Sequence, residues 1–213
     1  KQGDSIASRL NSRYEWASRV ELKDHGLCHR LDNETSGLLV AAKDSDQQRE
    51  VREHWPLVHK GYLAILGGSL KRIMLQKRPI AHHPQAQNKM VSLNDNHDES
   101  LKGRAAATLF CPLVKQEKVT LAAVFLKSPG NRHQIRVHAQ ALGLPLYGDS
   151  IYNGPGCQIM TTHALHATVL QLPGHEPVFA PFPPAFEAEL AAHGIKNPGF
   201  GAICERLKEI LQK

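Results

Sequence analysis

Three stretches of the chain bring together side chains able to do chemistry. The first, HRLDNETSGLLV, runs from His29 to Val40 and sets a cation, a carboxylate and two hydroxyls just ahead of an apolar run. Arg30 and Asp32 stand two residues apart, so in extended backbone they share a side while Leu31 turns inward. A carboxylate at the mouth of a strand suits general-base or nucleophilic work in a cleft. Its everyday role is to cap its own turn, and the residues alone leave both readings open. Thr35, Ser36 and Gly37 have the makings of a tight turn before the strand. The second stretch, SPGNRHQIRVHAQALGLPLYGD, spans Ser128 to Asp149 and crowds Arg132, His133, Arg136 and His138 at the start of a helix. Guanidinium groups and helix N-termini both favour phosphates and carboxylates. A solvated helix face with one packed histidine has the same composition. The third, VHKGYLAIL (58–66), puts Lys60 and Tyr62 on one side of a strand, a surface that suits a nucleobase and its phosphate and equally suits plain packing.

Other chemistries lack their residues. The 13 histidines form close groupings at His82-His83, His133/His138 and His163/His166, yet none makes HExxH or has cysteine or acidic neighbours at a repeated ligand spacing. No metal site is expected. The chain has no GxxxxGK[ST], no GxGxxG after a strand and no GxSxG, which removes support for nucleotide hydrolysis, dinucleotide redox chemistry and the common serine-hydrolase layout. Cys28, Cys111, Cys157 and Cys204 lie at least 46 positions apart, which reads as free thiols in a reducing compartment. Lysine and arginine number 26 against 20 acidic residues, a net charge of +6 compatible with a nucleic-acid partner. No apolar run approaches the ~18 residues of a membrane span.

The elements that must position these groups follow from periodicity. Ile6, Leu10 and Tyr14 behind Asp4 and Ser5 predict a capped helix over 4–15. GLLVAA (37–42) predicts a short buried strand, and Asp44 and Ser45 offer caps for a polar helix ending near Trp55-Pro56. Strands are expected over 58–66, 104–111 and 119–127, and a hairpin with exposed turns at HHPQAQNK and NDNHDES within 71–103. Ile135, Ala139 and Leu142 predict a helix over 133–142, stopped by Gly143 and Pro145. LHATVLQLP (165–173) and PVFA (177–180) predict a late hairpin, punctuated by Pro181, Pro183 and Pro184. Ile203, Leu207, Ile210 and Leu211 predict a final amphipathic helix behind Asn197-Pro198. Strands with single helices between them favour an α+β fold with a mixed sheet in one domain over 1–213.

Taken in order, these stretches resemble the pseudouridine synthases of the RluA family. HRLDNETSGLLV is similar to that family's HRLDxxTSGLLL signature, VHKGYLAILGG to its KxYLAxVxG strand, and PIAHHPQAQNKM to its PIxxHPxxxxKM segment. SPGNRHQIRVHAQALGLPLYGD is similar to GRTHQIRVHxxxxGxPIxGD, and LHATVLQLP with APFPPAF to the closing LHAxxLxFxHP…APLPxxF pattern. The resemblance covers residues 5–190. It implies a mostly antiparallel central sheet flanked by helices, no cofactor, and isomerisation of a uridine in ribosomal RNA, by preference, or transfer RNA. The N1–C1′ bond breaks, and the uracil turns over and rejoins through C5. It implies Asp32 as the catalytic aspartate and Arg136 as its partner, whose charge offsets the cost of holding a carboxylate out of water. Tyr62 would stack on the uracil and assist at C5. The target base must leave its stack to reach such a site, and Arg30 is the candidate to fill the space it vacates. Lys60, Arg132, His133 and Gln134 are the further expected RNA contacts.

Two departures stand out. The family's G-R-T-H reads Gly130-Asn131-Arg132-His133, which moves an arginine by one place and removes a threonine; Arg132 is expected to compensate in part. The family's apolar strand and KPxG turn ahead of HRLD have no counterpart after Lys1. The chain is therefore expected to be a fragment, with an upstream S4-type domain neither asserted nor excluded. A cytoplasmic monomer is the default. The competing reading is an RNA-binding or ribosome-assembly factor that keeps the fold without turnover, and retention of Asp32, Tyr62 and Arg136 together speaks against it.

Overall fold

Strand β2 (His59–Gly67) is buried without interruption from Lys60 to Leu66, so it must be covered on both faces. In the computed structural model, which describes residues 5–94, 101–128 and 130–212, it lies inside a seven-stranded sheet. On one side β2 pairs with β7 (Val119–Leu126), followed by β6 (Thr108–Lys115) and β3 (Met74–Gln76). On the other it pairs with β8 (Leu165–Gln171), which carries β1 (Ser36–Gly37) and β9 (Val178–Phe179) along its outer edge. Only the β1–β8 pairing is parallel. The mixed, mostly antiparallel α+β sheet is as expected.

The two faces carry different loads. Leu63 and Ile65, with Phe125 and Val169, pack against α4 (Pro184–Ala192) and α5 (Phe200–Leu211) through Phe186, Leu190, Ile203 and Leu207. Tyr62, Ala64 and Leu66 point the other way, onto Ile135 and Ala139 of α3 (Gln134–Ala141) and onto Leu146. Each fully buried leucine or isoleucine here contributes about 1.5–3 kcal/mol. Gly61 lies where a Cβ would come within 2.5 Å of Val169 and 2.7 Å of Phe125, so the first face admits no side chain at that position. A short hairpin, β4 (Ile80–His82) with β5 (Met90–Ser92), packs Ile80 and Met90 with Val137 of α3 and Tyr152. The turn expected over NDNHDES falls largely on residues 95–100, outside the described residues.

Four expectations need adjustment. α1 (Ile6–Arg13) is capped as anticipated, Ser5 and Ser8 bonding reciprocally, but it buries no residue and Ile6 is 47% exposed. GLLVAA is not a buried strand. Leu38 N–H still bonds to Ala167 (2.9 Å), but Gly37 at φ +116° turns the chain off β8, and Val40 and Ala42 pair with Cys28 and Gly26 instead. The strand expected over 104–111 runs from Thr108 to Lys115, because a register shift between Pro112 and Val114 lets the ladder pass the proline. α4 was unexpected: Pro184 occupies the first turn, where a missing N–H is harmless, so prolines that read as punctuation in fact open a helix. α2 (Ser45–Glu53) and α5 lie where they were expected. Among the described residues no helix is long and apolar enough to cross a membrane.

Candidate active site

The HRLD segment reaches the sheet as a loop fastened at several points. Thr35 N–H donates to the Asp32 carbonyl (2.9 Å), closing a turn with Asn33 and Glu34 at its tip. Two hydroxyl–imidazole pairs, Thr35 with His163 and Ser36 with His166, each at 2.8 Å, then clip the loop to β8 and the residues before it. A Cβ on Gly37 would lie 2.2 Å from the Ala167 carbonyl oxygen, so only glycine lets the loop approach β8 this closely.

Across from the loop, α3 begins at His133, whose φ of 56° is a left-handed conformation unusual for a non-glycine residue. One turn on, Arg136 spreads its guanidinium between two carboxylates. Nε and Nη2 donate to the two oxygens of Asp149 at 2.7 and 2.8 Å, and Nη1 donates to Asp32 Oδ2 at 3.3 Å. Asp149 is fully buried, and the Asp32 side chain is 22% exposed. Burial opposes the charge on Arg136, but the hydrogen bonds and charge of Asp149, joined by Asp32, outweigh it and strengthen its hold on the proton. The cluster of two carboxylates and one guanidinium carries a net −1, with Asp32 its only partly exposed acid.

Aromatic rings set the walls. Tyr62 is 9% exposed, and burial together with the nearby Asp32 charge pushes its phenol well above its ordinary value, so it stays protonated at neutral pH. Tyr152 lies under the Arg136 guanidinium, 5.3 Å from the ring centre. Its hydroxyl accepts from Met90 N–H (2.9 Å) and lies 3.0 Å from His133 Nδ1. Burial lowers the pKa of His133 and favours a neutral ring.

A second group faces this one. Lys60, buried, holds its ammonium 4.9 Å from the Trp55 ring centre, and His29 stacks on Trp55 at 4.4 Å. Burial brings Lys60 down to about 8. Burial and the Lys60 charge bring His29 down to about 4, and its Nε2 accepts from Val40 N–H at 3.0 Å. Between the two groups is a cavity of 340 Å³, at the small end of the range for ligand pockets.

All eight residues singled out in the sequence line this cavity: Asp32, Tyr62, Arg136, Arg30, Lys60, Arg132, His133 and Gln134, with Arg30 and Arg132 exposed at its rim. The Gln134 amide is engaged within the protein. It donates to the Ala107 carbonyl and Thr108 hydroxyl, each at 3.0 Å, and accepts from Asn131 N–H at 3.0 Å. Through these bonds Gln134 ties the loop ahead of α3 to β6. Sequence reading does not single out Asp149, Tyr152 or Trp55 for the site, and notes His163 only as half of the His163/His166 pair set aside as a metal site. Asp149 lies within a quoted motif, but nothing in linear order links it to Arg136; the other three carry no local signal. Among the described residues no group of three or more potential metal-ligating side chains occurs.

Comparison with known proteins agrees with this arrangement. Residues 4–141 match the family model described as RNA pseudouridylate synthase. Ribosomal large subunit pseudouridine synthase D of Nitrosomonas europaea is 34% identical over 164 residues, covering 69% of this chain and 43% of the relative. Ribosomal large subunit pseudouridine synthase C of Rickettsia bellii is 33% identical over 148 residues, covering 66% and 48%. The chain thus spans somewhat less than half the length of these relatives. The solved structure titled Human RNA Pseudouridylate Synthase Domain Containing 4 superposes with a TM-score of 0.65 at 25% identity, covering 81% of this chain and 77% of that one. A second human structure, Domain Containing 1 of the same title, gives 0.65 at 21% and speaks to the fold alone. With residues of the HRLD, KGYLA and HQIR stretches gathered around one cavity, the chain belongs to the RNA pseudouridylate synthase family, in its RluA branch.

Proposed function

We propose that this chain isomerises uridine to pseudouridine in RNA, with Asp32 as the catalytic carboxylate. The observation that carries the reading is the junction of Asp32 with Arg136 at 3.3 Å inside a cavity bordered by Tyr62. In the reaction the N1–C1′ bond breaks and C5 bonds to C1′. C5 then gives up its proton and N1 gains one. Whether Asp32 bonds to C1′ or takes the C2′ proton to leave a glycal, its carboxylate must reach the same part of the sugar. Arg136, locked by Asp149, holds it there. Tyr62 offers the uracil a ring face, and its high pKa argues for work as a neutral phenol rather than as a base.

The substrate class we favour is large-subunit ribosomal RNA, because two relatives that match over about two thirds of this chain bear that description. A cytoplasmic location goes with that substrate. Arg30 and Arg132, exposed at the rim, would meet phosphates, and Arg30 would enter the gap left by the extruded base. The test is tritium release from C5 of labelled uridine in RNA from cells lacking the gene, with Asp32→Ala beside wild type. Release by wild type alone supports the assignment. Intact RNA binding with no release from either protein supports the non-catalytic RNA-binding reading instead.

A further inference from the structure

His163 lies outside the residues that the chemistry above uses, yet it is 1% exposed directly behind the Asp32 loop. Its Nε2 is 2.8 Å from the Thr35 hydroxyl, and Thr35 lines the cavity. Its Nδ1 makes no hydrogen bond: Glu34 Oε2 approaches to 3.2 Å but out of line. This geometry selects a tautomer. A lone pair on Nδ1 would face the Glu34 carboxylate at close range, so the ring proton belongs on Nδ1 and Nε2 is left as an acceptor. The Thr35 hydroxyl must then donate to His163, and it turns its lone pairs toward the cavity.

We propose that His163 is a positioning residue that fixes the Thr35 hydroxyl as a hydrogen-bond acceptor for the 2′-hydroxyl of the target nucleotide, making the site selective for ribose over deoxyribose. The inference rests on the reading of Asp32 above. Thr35 closes the turn that carries Asp32, with its N–H on the Asp32 carbonyl at 2.9 Å. Asp32 and Thr35 also line the same cavity, so a sugar held for reaction at C1′ or C2′ has its 2′-hydroxyl on the side of the site that Thr35 borders. Four charged groups face His163: Glu34 and Asp32 from its loop, Arg136 from α3, and Asp149. Burial and Arg136 oppose a proton on the ring, and the three carboxylates favour one. Once protonated, His163 donates from both nitrogens. Thr35 must then accept from it, and its own O–H turns to the cavity as a donor; the 2′-hydroxyl can accept from it only by reversing its role, which leaves its own proton without the Thr35 acceptor.

Two measurements that need no turnover test this. Long-range ¹H–¹⁵N spectra of histidine-labelled protein should show His163 as the Nδ1–H tautomer at neutral pH; the Nε2–H tautomer overturns the proposal. Uridine 5′-monophosphate and its 2′-deoxy analogue are then titrated onto wild type, Thr35→Val, Thr35→Ser and His163→Gln. Wild type should prefer the ribonucleotide by about three- to tenfold, the worth of one hydrogen bond. Thr35→Ser should keep that preference and Thr35→Val should lose it. In wild type the ratio should fall toward one as pH drops through the pKa of His163, and phosphate titration cancels in it. His163→Gln, whose amide oxygen can still accept from Thr35 but does not titrate, should hold its ratio constant with pH. Equal affinities in wild type, no binding of either nucleotide, or an unchanged acid limb in His163→Gln overturns the proposal. Absence of tritium release would count against the synthase reading and leave these results to stand separately.

Discussion

Asp149→Asn separates the work of the buried ion cluster from that of Asp32 itself. The change keeps the shape of the side chain and removes its charge. Arg136 then loses the charge partner behind its two short bonds of 2.7 and 2.8 Å and keeps at most one of them beside the 3.3 Å bond to Asp32. Asparagine can accept one of the two N–H groups, while its own NH₂ faces the other, so a buried donor goes unmet. Breaking one side of such a pair costs about 3 kcal/mol, which for a chain of this size lowers Tm by roughly 6–12 °C. A guanidinium freed to shift by ~1 Å misplaces Asp32, so kcat should fall about 100-fold. Differential scanning fluorimetry and tritium release on the same preparations read both quantities. Arg136→Met alone should destabilise more, because it strands Asp149 as an unpaired carboxylate with 0% exposure. The double variant Arg136→Met/Asp149→Leu removes both charges and should regain stability while staying inactive. A double variant no more stable than Arg136→Met, or Asp149→Asn with wild-type kcat, would refute the reasoning.

Other outcomes follow from the same geometry. Tyr62→Phe keeps the ring and should leave KM within about threefold, whereas Tyr62→Leu removes a stacking face and should raise KM at least about tenfold in the tritium assay. Lys60, brought down to about 8 by burial, loses its charge as pH rises through that value. Affinity for a ribosomal RNA fragment, followed by fluorescence anisotropy, should therefore decline above pH 8 in wild type and not in Lys60→Arg. Gly37→Ala places a Cβ 2.2 Å from the Ala167 carbonyl oxygen at φ +116° and should cost at least about 3 kcal/mol, read by urea unfolding.

The parts of the site legible in the sequence are those packed into short, dense motifs. Asp32, Tyr62 and Arg136 each belong to such a stretch, and the resemblance supplied their roles. Composition alone had left a turn-capping aspartate and a core tyrosine equally open. β2 was legible because its two apolar sets alternate with period two, and α5 because Ile203, Leu207 and Ile210 recur at helical spacing. α4 was hidden by local rules, since prolines that end one segment are tolerated in the first turn of the next. The bend after Gly37 was hidden too, because an apolar run does not disclose a positive φ. Least visible were the buried polar pairs. The Arg136–Asp149 fork, the Tyr152–His133 bond and the Thr35–His163 contact depend on tertiary approach, and no spacing rule encodes which donor meets which acceptor.

The fastening of the HRLD loop also divides the site by mechanical stability. Tyr62 lies on an inner strand, paired on both sides, and Arg136 on a helix packed against the sheet. Asp32 lies on a loop whose regular pairing amounts to Ser36 and Gly37 at the outer edge. The side-chain ties that fix Asp32 and the two hydroxyls after it reach across the chain, 104 residues to Arg136, 128 to His163 and 130 to His166. Contacts of such long range form late in folding, and an edge held by few bonds opens before the core does. The half of the centre that carries Asp32 is therefore the last piece assembled and the first released, so on the proposed function activity reports completion of the fold and heat should silence the chain while its sheet is still intact.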